Sequence, residues 1–252
     1  MAFRKPNWLR LDNAAKIYPA ARRRKWSNVF RVAATMKDEI NPEALESALK
    51  VTAARFPSIA VRLRRGVFWY YLEEIDSVPE VIRDTPFPCR RMTSKEARTC
   101  AFRVLYYKNR IAVEFFHALT DGSGAMVFLK TLIAEYAEQR YGITVPAECG
   151  ILSRSEEPSP EEIEDSFLRY EGHTVSSRKE EPAYHLTGKK EPDGYLNIIT
   201  GIIDLPQVLE QAKKYKATLT NYLAALMVMC VADIQREKTK NPAKQKPVKV
   251  LI

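Results

Sequence analysis

Histidine, cysteine and glycine are all scarce in this chain of 252 residues. The nine glycines are too few for a collagen-like repeat or a glycine-rich linker protein. Three histidines exclude a multi-histidine metal site, and they are His117, His173 and His185. No two of the four cysteines have a metal-ligand spacing such as C-x-x-C, so we expect free thiols; they are Cys89, Cys100, Cys149 and Cys230.

Long apolar runs are also missing. The longest strongly apolar run covers eleven residues, 222–232, whereas a membrane-spanning helix needs about 20. The first residues, MAFRKPNWLRLDN, lack the apolar stretch of a secretory signal. The sequence therefore predicts a soluble, cytoplasmic protein without a membrane segment.

Charge is plentiful but uneven, with 40 lysines and arginines against 31 aspartates and glutamates and a net charge of +9. Basic residues cluster at 22–25 and 236–249, and an acidic patch covers 156–165. Such segments are either solvated surface or a contact for an anionic partner: nucleic acid, a membrane surface or a phosphorylated cofactor. Trp26 beside the first basic block suits single-stranded nucleic acid, but no RNP, KH or zinc pattern accompanies it, so nucleic-acid binding is not expected.

The first part of the chain alternates strands and helices. Residues 28–35 are predicted to form a strand, followed by a helix with Asn41 as N-cap, Pro42 in its first turn and Pro57 beyond its end. Two hairpins are predicted, one at 59–64 and 67–73 that turns at Arg65-Gly66. The other, at 101–107 and 111–116, turns near Lys108 and Asn109. A helix with a regular apolar face then runs to about residue 141, and Gly142 is suited to end it.

The second part of the chain is less regular. Residues 151–196 are predicted to be an irregular acidic crossover, because they are rich in proline and acidic residues and lack periodicity. Residues 197–252 are predicted to form a strand–helix–helix–strand segment, with strands at 197–205 and 248–252. Thr220 is expected to cap the second helix, 221–236, whose apolar residues lie on all sides and indicate a central position.

Chemistry is concentrated in one segment, His117-Ala-Leu-Thr-Asp121-Gly122. A histidine at a strand end, followed by a helix N-terminus, can accept a proton from a hydroxyl, amine or thiol close to unpaired backbone N–H groups. Gly122 and Gly124 would let the backbone approach a ligand closely. A purely structural interpretation stays open, in which His117 is a core histidine and Asp121 caps the helix.

This segment, FFHALTDGSGAMVFLKTLIAEY, resembles the HxxxDG segment of the coenzyme-A-dependent acyltransferase superfamily. That superfamily includes chloramphenicol acetyltransferase, plant BAHD acyltransferases, condensation domains of nonribosomal peptide synthetases and bacterial alcohol O-acetyltransferase-like proteins. The opening LDNAAKIYPAARRRKWSNVFRVAATM and the later LESALKVTAARFPSIAVRLRR are most similar to the last group.

The resemblance implies an α+β fold, a two-layer sandwich of a mixed sheet covered by helices, in which residues 1–150 form one lobe of a two-lobed enzyme. His117 would be the catalytic base, and Asp121 and Gly122 would be motif residues, with Asp121 structural and paired with an arginine. The implied reaction moves an acyl group, with acetyl as the expected one, from acyl-CoA to a small alcohol or amine. The resemblance implies no metal and no permanently bound cofactor.

Two features depart from the superfamily pattern. Condensation domains usually carry two adjacent histidines, and Phe116 stands at the first position here, which favours a small O- or N-acyltransferase. The DFGWG-like segment of the second lobe is absent, so the chain looks like an N-terminal portion, and we expect it to lack turnover without a C-terminal lobe. Two alternatives remain: a non-catalytic module that binds a carrier protein or ligand, and condensation-type amide or ester synthesis with an acyl carrier protein donor.

Overall fold

The computed structural model describes residues 8–12, 14–21, 27–164, 181–189, 191–192 and 195–250. The chain divides into two compact units, Met1–Gly172 with Asp193–Leu196 and His173–Pro192 with Asn197–Ile252. The larger unit contains strands β1 (Trp8–Arg10), β2 (Val29–Thr35), β3 (Val61–Arg65), β4 (Tyr70–Glu74), β5 (Ile82–Arg83), β6 (Phe102–Tyr107) and β7 (Arg110–Phe116). Its helices are α1 (Ile17–Ala20), α2 (Pro42–Arg55), α3 (Ser94–Thr99) and α4 (Gly122–Tyr141); the smaller unit contains α5 (Leu205–Lys214) and α6 (Leu219–Lys238).

A four-stranded mixed sheet forms the centre of the larger unit, with strand order β2-β7-β6-β5. β7 pairs antiparallel with β2 and β6, whereas β5 pairs parallel with β6. The pairing places Val29 opposite Phe116, so β2 starts where β7 ends. The end of β7 therefore lies beside the residues that lead into β2.

Helices α2 and α4 cover one face of this sheet. The α2 N-terminus is capped as predicted, because the Asn41 side chain accepts a hydrogen bond from the Ala44 N–H at 2.8 Å. The α4 C-terminus is also as predicted, with Gly142 in the left-handed conformation at φ 66°. The core between helices and sheet is apolar and largely aromatic, and its largest buried side chains include Phe102, Phe115, Phe128, Leu45, Leu132 and Tyr136.

A second, smaller core lies against the other side of the β7 end. It joins a three-stranded sheet of order β1-β4-β3 to α3, and Phe116 packs into it with Leu63, Leu72 and Ala97. Phe115 and Phe116 thus enter different cores, because successive strand residues point to opposite faces. The predicted α+β fold with a mixed sheet covered by helices is confirmed, and the small sheet is an addition to it.

The two predicted hairpins are present, with turns that differ in detail. The first turn spans 66–69 rather than Arg65-Gly66, and the Gly66 N–H donates to the Trp69 carbonyl at 2.7 Å. In the second turn Lys108, not Asn109, has a positive φ of 49°. The Asn109 side chain instead donates to the Met36 carbonyl at 2.9 Å, a contact that connects the turn to the residue after β2.

The sheet face opposite α2 and α4 carries a buried network of charges. Glu114 on β7 is fully buried between two arginines on the neighbouring strands, accepting from Arg31 Nε at 2.8 Å and from Arg103 Nε at 2.6 Å. Asp84 accepts from both terminal nitrogens of Arg31 at 2.7 and 2.9 Å. Burial alone would raise the pKa of Asp84, but the hydrogen bond and charge of Arg31 lower it.

Residues 151–164 of the predicted acidic crossover belong to the larger unit and contact its helices, whereas 165–180, 190 and 193–194 lie outside the described residues. Arg55, which is buried, donates to both carboxylate oxygens of Glu162 at 2.5 and 2.9 Å, and this bond lowers the pKa of Glu162. Arg154 donates to Glu135 at 2.9 Å and to Glu138 at 2.7 Å. The acidic patch is therefore not wholly a solvated segment, since one of its members binds a buried arginine.

Helix α3 begins with a capping box that makes stability depend on pH. Burial alone would raise the pKa of Glu96, but hydrogen bonds from Thr93 and Arg90 lower it to about 2. Because the folded pKa lies below the ordinary value, the charge of Glu96 stabilises the fold above about pH 4.5, and this contribution is lost towards pH 2.

We therefore expect a Glu96→Gln variant, which keeps a capping side chain without the charge, to be less stable than wild type above about pH 5. The difference in melting temperature should shrink steadily as the pH falls from about 4.5 to 2. Melting temperatures at a series of pH values test this, and a difference that stays constant down to pH 2 would contradict it.

The smaller unit differs from its sequence prediction in three places. The segment 197–204 forms no strand, and residues 248–250 of the second predicted strand form none either, while 251 and 252 lie outside the described residues. Thr218 rather than Thr220 caps α6, accepting from the Asn221 N–H at 3.2 Å. A strand needs a hydrogen-bonded neighbour, and the described residues offer no strand partner to these two segments.

Helix α6 is not central in the described structure. Gln235 is its only buried residue, and Met227 and Met229 are 56% and 60% exposed. Gln235 exchanges two hydrogen bonds with the backbone of Lys246, each at 2.9 Å, which ties the end of α6 to the segment after it. Apolar residues do lie on all sides of α6, but in the described structure they stay exposed or only partly buried.

Among the described residues, no single helix has the length and apolar composition to cross a membrane. Helices α5 and α6 meet those two criteria only when taken together, and they are bent by 82° at the break between them.

Candidate active site

His117 follows the last residue of β7, and its backbone belongs to the sheet edge. Its N–H donates to the Asn28 carbonyl at 2.8 Å, so the position of the residue is fixed by the β2–β7 pairing. Its imidazole lies flat against the ring of Tyr18, with ring centres 4.5 Å apart and planes at 7°. The ring of Phe30 contacts it at 4.7 Å and is tilted by 51°.

The two ring nitrogens of His117 take no part in a hydrogen bond with any described residue. The side chain is half-buried, and aromatic contacts rather than hydrogen bonds hold it. A structural histidine in a core normally satisfies its ring nitrogens with protein partners. His117 instead keeps both nitrogens available for another molecule.

Asp121 is the N-cap of α4. Its side chain accepts from the Gly124 N–H at 2.9 Å, and its carbonyl accepts from Ala125 at 3.0 Å. The pairing with an arginine that the resemblance implied is not found among the described residues, in which Asp121 is exposed and forms no ion pair. The capping interaction explains this, because the carboxylate points back along its own helix end.

The two glycines of the motif segment have different surroundings. A Cβ on Gly122 would meet nothing within 4 Å, so this residue borders open space at the helix N-terminus. A Cβ on Gly124 would lie 2.1 Å from the Thr120 hydroxyl oxygen, so the Thr120 side chain would have to rotate to admit it. A side chain at position 124 would therefore disturb its surroundings, whereas position 122 faces open space where a ligand could bind.

These surroundings predict different results for two alanine substitutions. Gly124→Ala should force the Thr120 hydroxyl into another rotamer, at a cost of about 0.5–1.5 kcal/mol that offsets the helix-propensity gain of alanine, so this variant should be less stable than Gly122→Ala. Gly122→Ala, the matched control, should leave stability unchanged or slightly raised, since alanine is the better helix former. Urea unfolding of both variants tests this; equal destabilisation by the two would show that the loop geometry is wrong.

Two of the four cysteine thiols have raised pKa values, which disfavours them as nucleophiles. Cys100 is buried, and burial raises the pKa of its thiol to about 12, so it is protonated at neutral pH. Burial also raises the pKa of Cys89. All four cysteines are free, with Cys149 and Cys230 exposed.

The other residues singled out in the sequence lie elsewhere. His185 is exposed in the smaller unit, as expected of a surface residue. His173 and the basic block 22–25 lie outside the described residues. Among the residues that are described, no three or more histidines, cysteines, aspartates or glutamates form a group that could hold a metal ion.

Sequence reasoning missed the aromatic and amide neighbours of His117, which are Tyr18, Phe30 and Asn28. Tyr18 and Asn28 belong to the opening segment LDNAAKIYPAARRRKWSNVF that carried the resemblance, but nothing in it indicated contact with a residue about 100 positions later. The one available signal was the antiparallel pairing of the two strands. It brings residues before β2 next to residues after β7.

No family model matches the sequence, and no curated protein matches it. Solved structures with a similar arrangement include a complex of the X-domain and OxyB from teicoplanin biosynthesis, with TM-score 0.46, 17% identity and coverage of 60% of this chain and 37% of that one. Polyketide synthase associated protein 5 from Mycobacterium tuberculosis gives a TM-score of 0.44 at 14% identity, with coverage of 62% and 38%.

The starter condensation domain of rhizomide synthetase RzmA is a third, with TM-score 0.43, 16% identity and coverage of 57% of this chain and 40% of that one. The matched part of this chain thus spans well under half the length of these three structures. The similarity is one of chain arrangement, and function rests on the chemistry of the site itself.

Proposed function

We propose that this chain carries the general base of an acyltransferase, with His117 in that role. The reaction moves an acyl group from a thioester, either acyl-CoA or an acyl carrier protein, to a small alcohol or amine. The proposal places the protein in the cytoplasm, as the sequence predicts, and assigns no metal or resident cofactor to the reaction.

The main support for this proposal is the set of contacts around the His117 imidazole. Its faces contact Tyr18 and Phe30, whereas its nitrogens have no partner among the described residues. An imidazole held in this way is fixed in position and still able to accept a proton. The exposed Gly122 and the positive end of the α4 dipole follow within five residues, where an acyl carbonyl that gains negative charge would be stabilised.

The proposed reaction needs only one proton acceptor. The imidazole of His117 takes the proton from the acceptor hydroxyl or amine as its oxygen or nitrogen attacks the thioester carbonyl carbon. The tetrahedral intermediate then breaks its C–S bond, and the departing thiolate receives the proton from the imidazolium. No covalent acyl-enzyme is required, which is consistent with the buried, protonated thiol of Cys100.

Asp121 supports the site as a helix cap in this proposal, not as a reacting group. Phe116 lies in the smaller core at 1% exposure, so it adds nothing polar to the reaction. A single histidine favours transfer to a small acceptor over the peptide synthesis that the adjacent-histidine pattern of condensation domains suggests.

The test is release of free thiol from acyl donors by the protein purified from its own host. Acetyl-CoA and acetylated carrier protein are supplied as separate donors, each with a panel of small alcohols and amines. Acceptor-dependent thiol release that tracks formation of an ester or amide supports the proposal. Binding of either donor without any acyl transfer across the panel would favour a non-catalytic binding module.

A further inference from the structure

His117 forms a closed set of contacts with two residues from the segment before β2, Tyr18 and Asn28. The Asn28 carbonyl accepts from the His117 N–H at 2.8 Å, and the Asn28 side-chain amide donates to the Tyr18 carbonyl at 2.8 Å. The Tyr18 ring then lies flat on the His117 imidazole at 4.5 Å. We call the two hydrogen bonds of Asn28 the Asn28 bridge.

The backbone of Asn28 is held in an uncommon conformation. Its φ is 50°, and it is 93% buried, since only 7% of its surface is exposed. Asparagine tolerates the left-handed region better than most residues, yet the conformation persists only where its surroundings impose it. Here both hydrogen bonds of the bridge depend on it, because one uses the carbonyl and the other the side chain.

Stacking solves a specific problem for a base at a strand end. The outer torsion of a histidine side chain has broad preferences, so an imidazole without ring hydrogen bonds can rotate. A hydrogen bond would fix the ring but would occupy a nitrogen. The parallel contact with Tyr18 restricts the ring plane and leaves both nitrogens free.

We propose that Tyr18 is a positioning residue for His117 and that the Asn28 bridge holds Tyr18 in place. This inference rests on the proposed function, since positioning matters only if His117 reacts. Misplacing a reacting group by about 1 Å can cost about 100-fold in rate. Loss of the stack should therefore lower kcat by about 10- to 100-fold with little change in KM for the donor.

Three variants separate the parts of this proposal. Tyr18→Phe keeps the ring and removes only the hydroxyl, so it should behave as wild type. Tyr18→Leu removes the aromatic ring. Asn28→Gly keeps the left-handed backbone and its carbonyl, and removes the side-chain bond to Tyr18.

The first measurement is the NMR position of the His117 imidazole protons, which a stacked tyrosine ring shifts upfield. With three histidines in the chain, a His117→Gln sample assigns the resonance. We expect the upfield shift in wild type and Tyr18→Phe, its loss in Tyr18→Leu and its reduction in Asn28→Gly. An unchanged His117 resonance in Tyr18→Leu would overturn the stacking geometry and the proposal with it.

The second measurement is kcat and KM for each variant, at temperatures below its own melting transition. Tyr18→Leu with wild-type kcat but an altered resonance would overturn the positioning role and leave the proposed function intact. Wild-type transfer by His117→Ala would instead refute the proposed function, whatever the resonances show. Rescue of kcat by phenylalanine but not by leucine at position 18 supports the proposal.

Discussion

Replacing His117 with alanine is expected to lower kcat for acyl transfer by about 10²- to 10⁴-fold, the usual contribution of general-base assistance. The loss arises because alanine cannot accept a proton, and the described ring neighbours of His117, Tyr18 and Phe30, offer a phenol and a phenyl ring instead of a second base. The fold should tolerate the change, because the hydrogen bond that joins His117 to the sheet comes from its backbone N–H, which alanine keeps. The measurement is transfer at saturating donor, beside a urea unfolding curve.

His185→Ala is the matched control for this substitution. It removes an exposed histidine of the smaller unit and should leave kcat and stability unchanged. Full transfer activity in His117→Ala would end the mechanism proposed here. A parallel collapse of stability and activity in that variant would show that the histidine is a structural residue.

Glu114→Ala is expected to have the largest effect on stability. It would leave Arg103, which is mostly buried, with the 3.8 Å contact to Glu96 as its remaining ion pair among the described residues, and Arg31 with Asp84 as its remaining carboxylate. Breaking a buried ion pair by removing one partner costs on the order of 3–5 kcal/mol, and because Asp84 still pairs with Arg31 we expect a loss at the lower end of that range. Tryptophan fluorescence during urea unfolding measures this for the larger unit, which contains all three tryptophans of the chain.

Glu73→Ala provides a control of the same design. Glu73 also accepts hydrogen bonds from two arginines, Arg62 and Arg64, but its side chain is 29% exposed. Water can replace the lost partner there, so the unfolding midpoint should move little. Equal destabilisation by the two substitutions would show that burial is not what makes Glu114 important.

Local patterns predicted most of the larger unit. The strand at 28–35, the Asn41 cap and the helix ending before Gly142 follow from periodicity and capping signals that are contained within a few residues. The same kind of signal located His117 at a strand end and Asp121 at a helix start. These features are fixed by neighbours in sequence, so the sequence alone reveals them.

Contacts between distant residues were beyond the reach of such patterns. Glu114 reads as one polar residue in an apolar strand, and only the pairing of β2, β7 and β6 reveals the arginines on both sides of it. The isoleucines before α5 gave a strand-like pattern, but a strand exists only with a partner, and the described residues supply none. The apolar residues of α6 are exposed for the same reason, since the described residues do not bury them.

One face of β7 carries buried charges and the other packs into the aromatic core, and this difference also fixes the position of the candidate site. A slip of one residue in the pairing of β7 would turn Glu114 into the aromatic core and bring Phe115 among the arginines. Both errors are costly, so the alignment of the strands has a single acceptable solution. His117 comes three residues after Glu114, directly beyond the end of β7, so its position at the sheet edge depends on the same alignment. The buried ion pairs of Glu114 take no part in the proposed proton transfer, but by fixing the strand alignment they help to determine the position of His117.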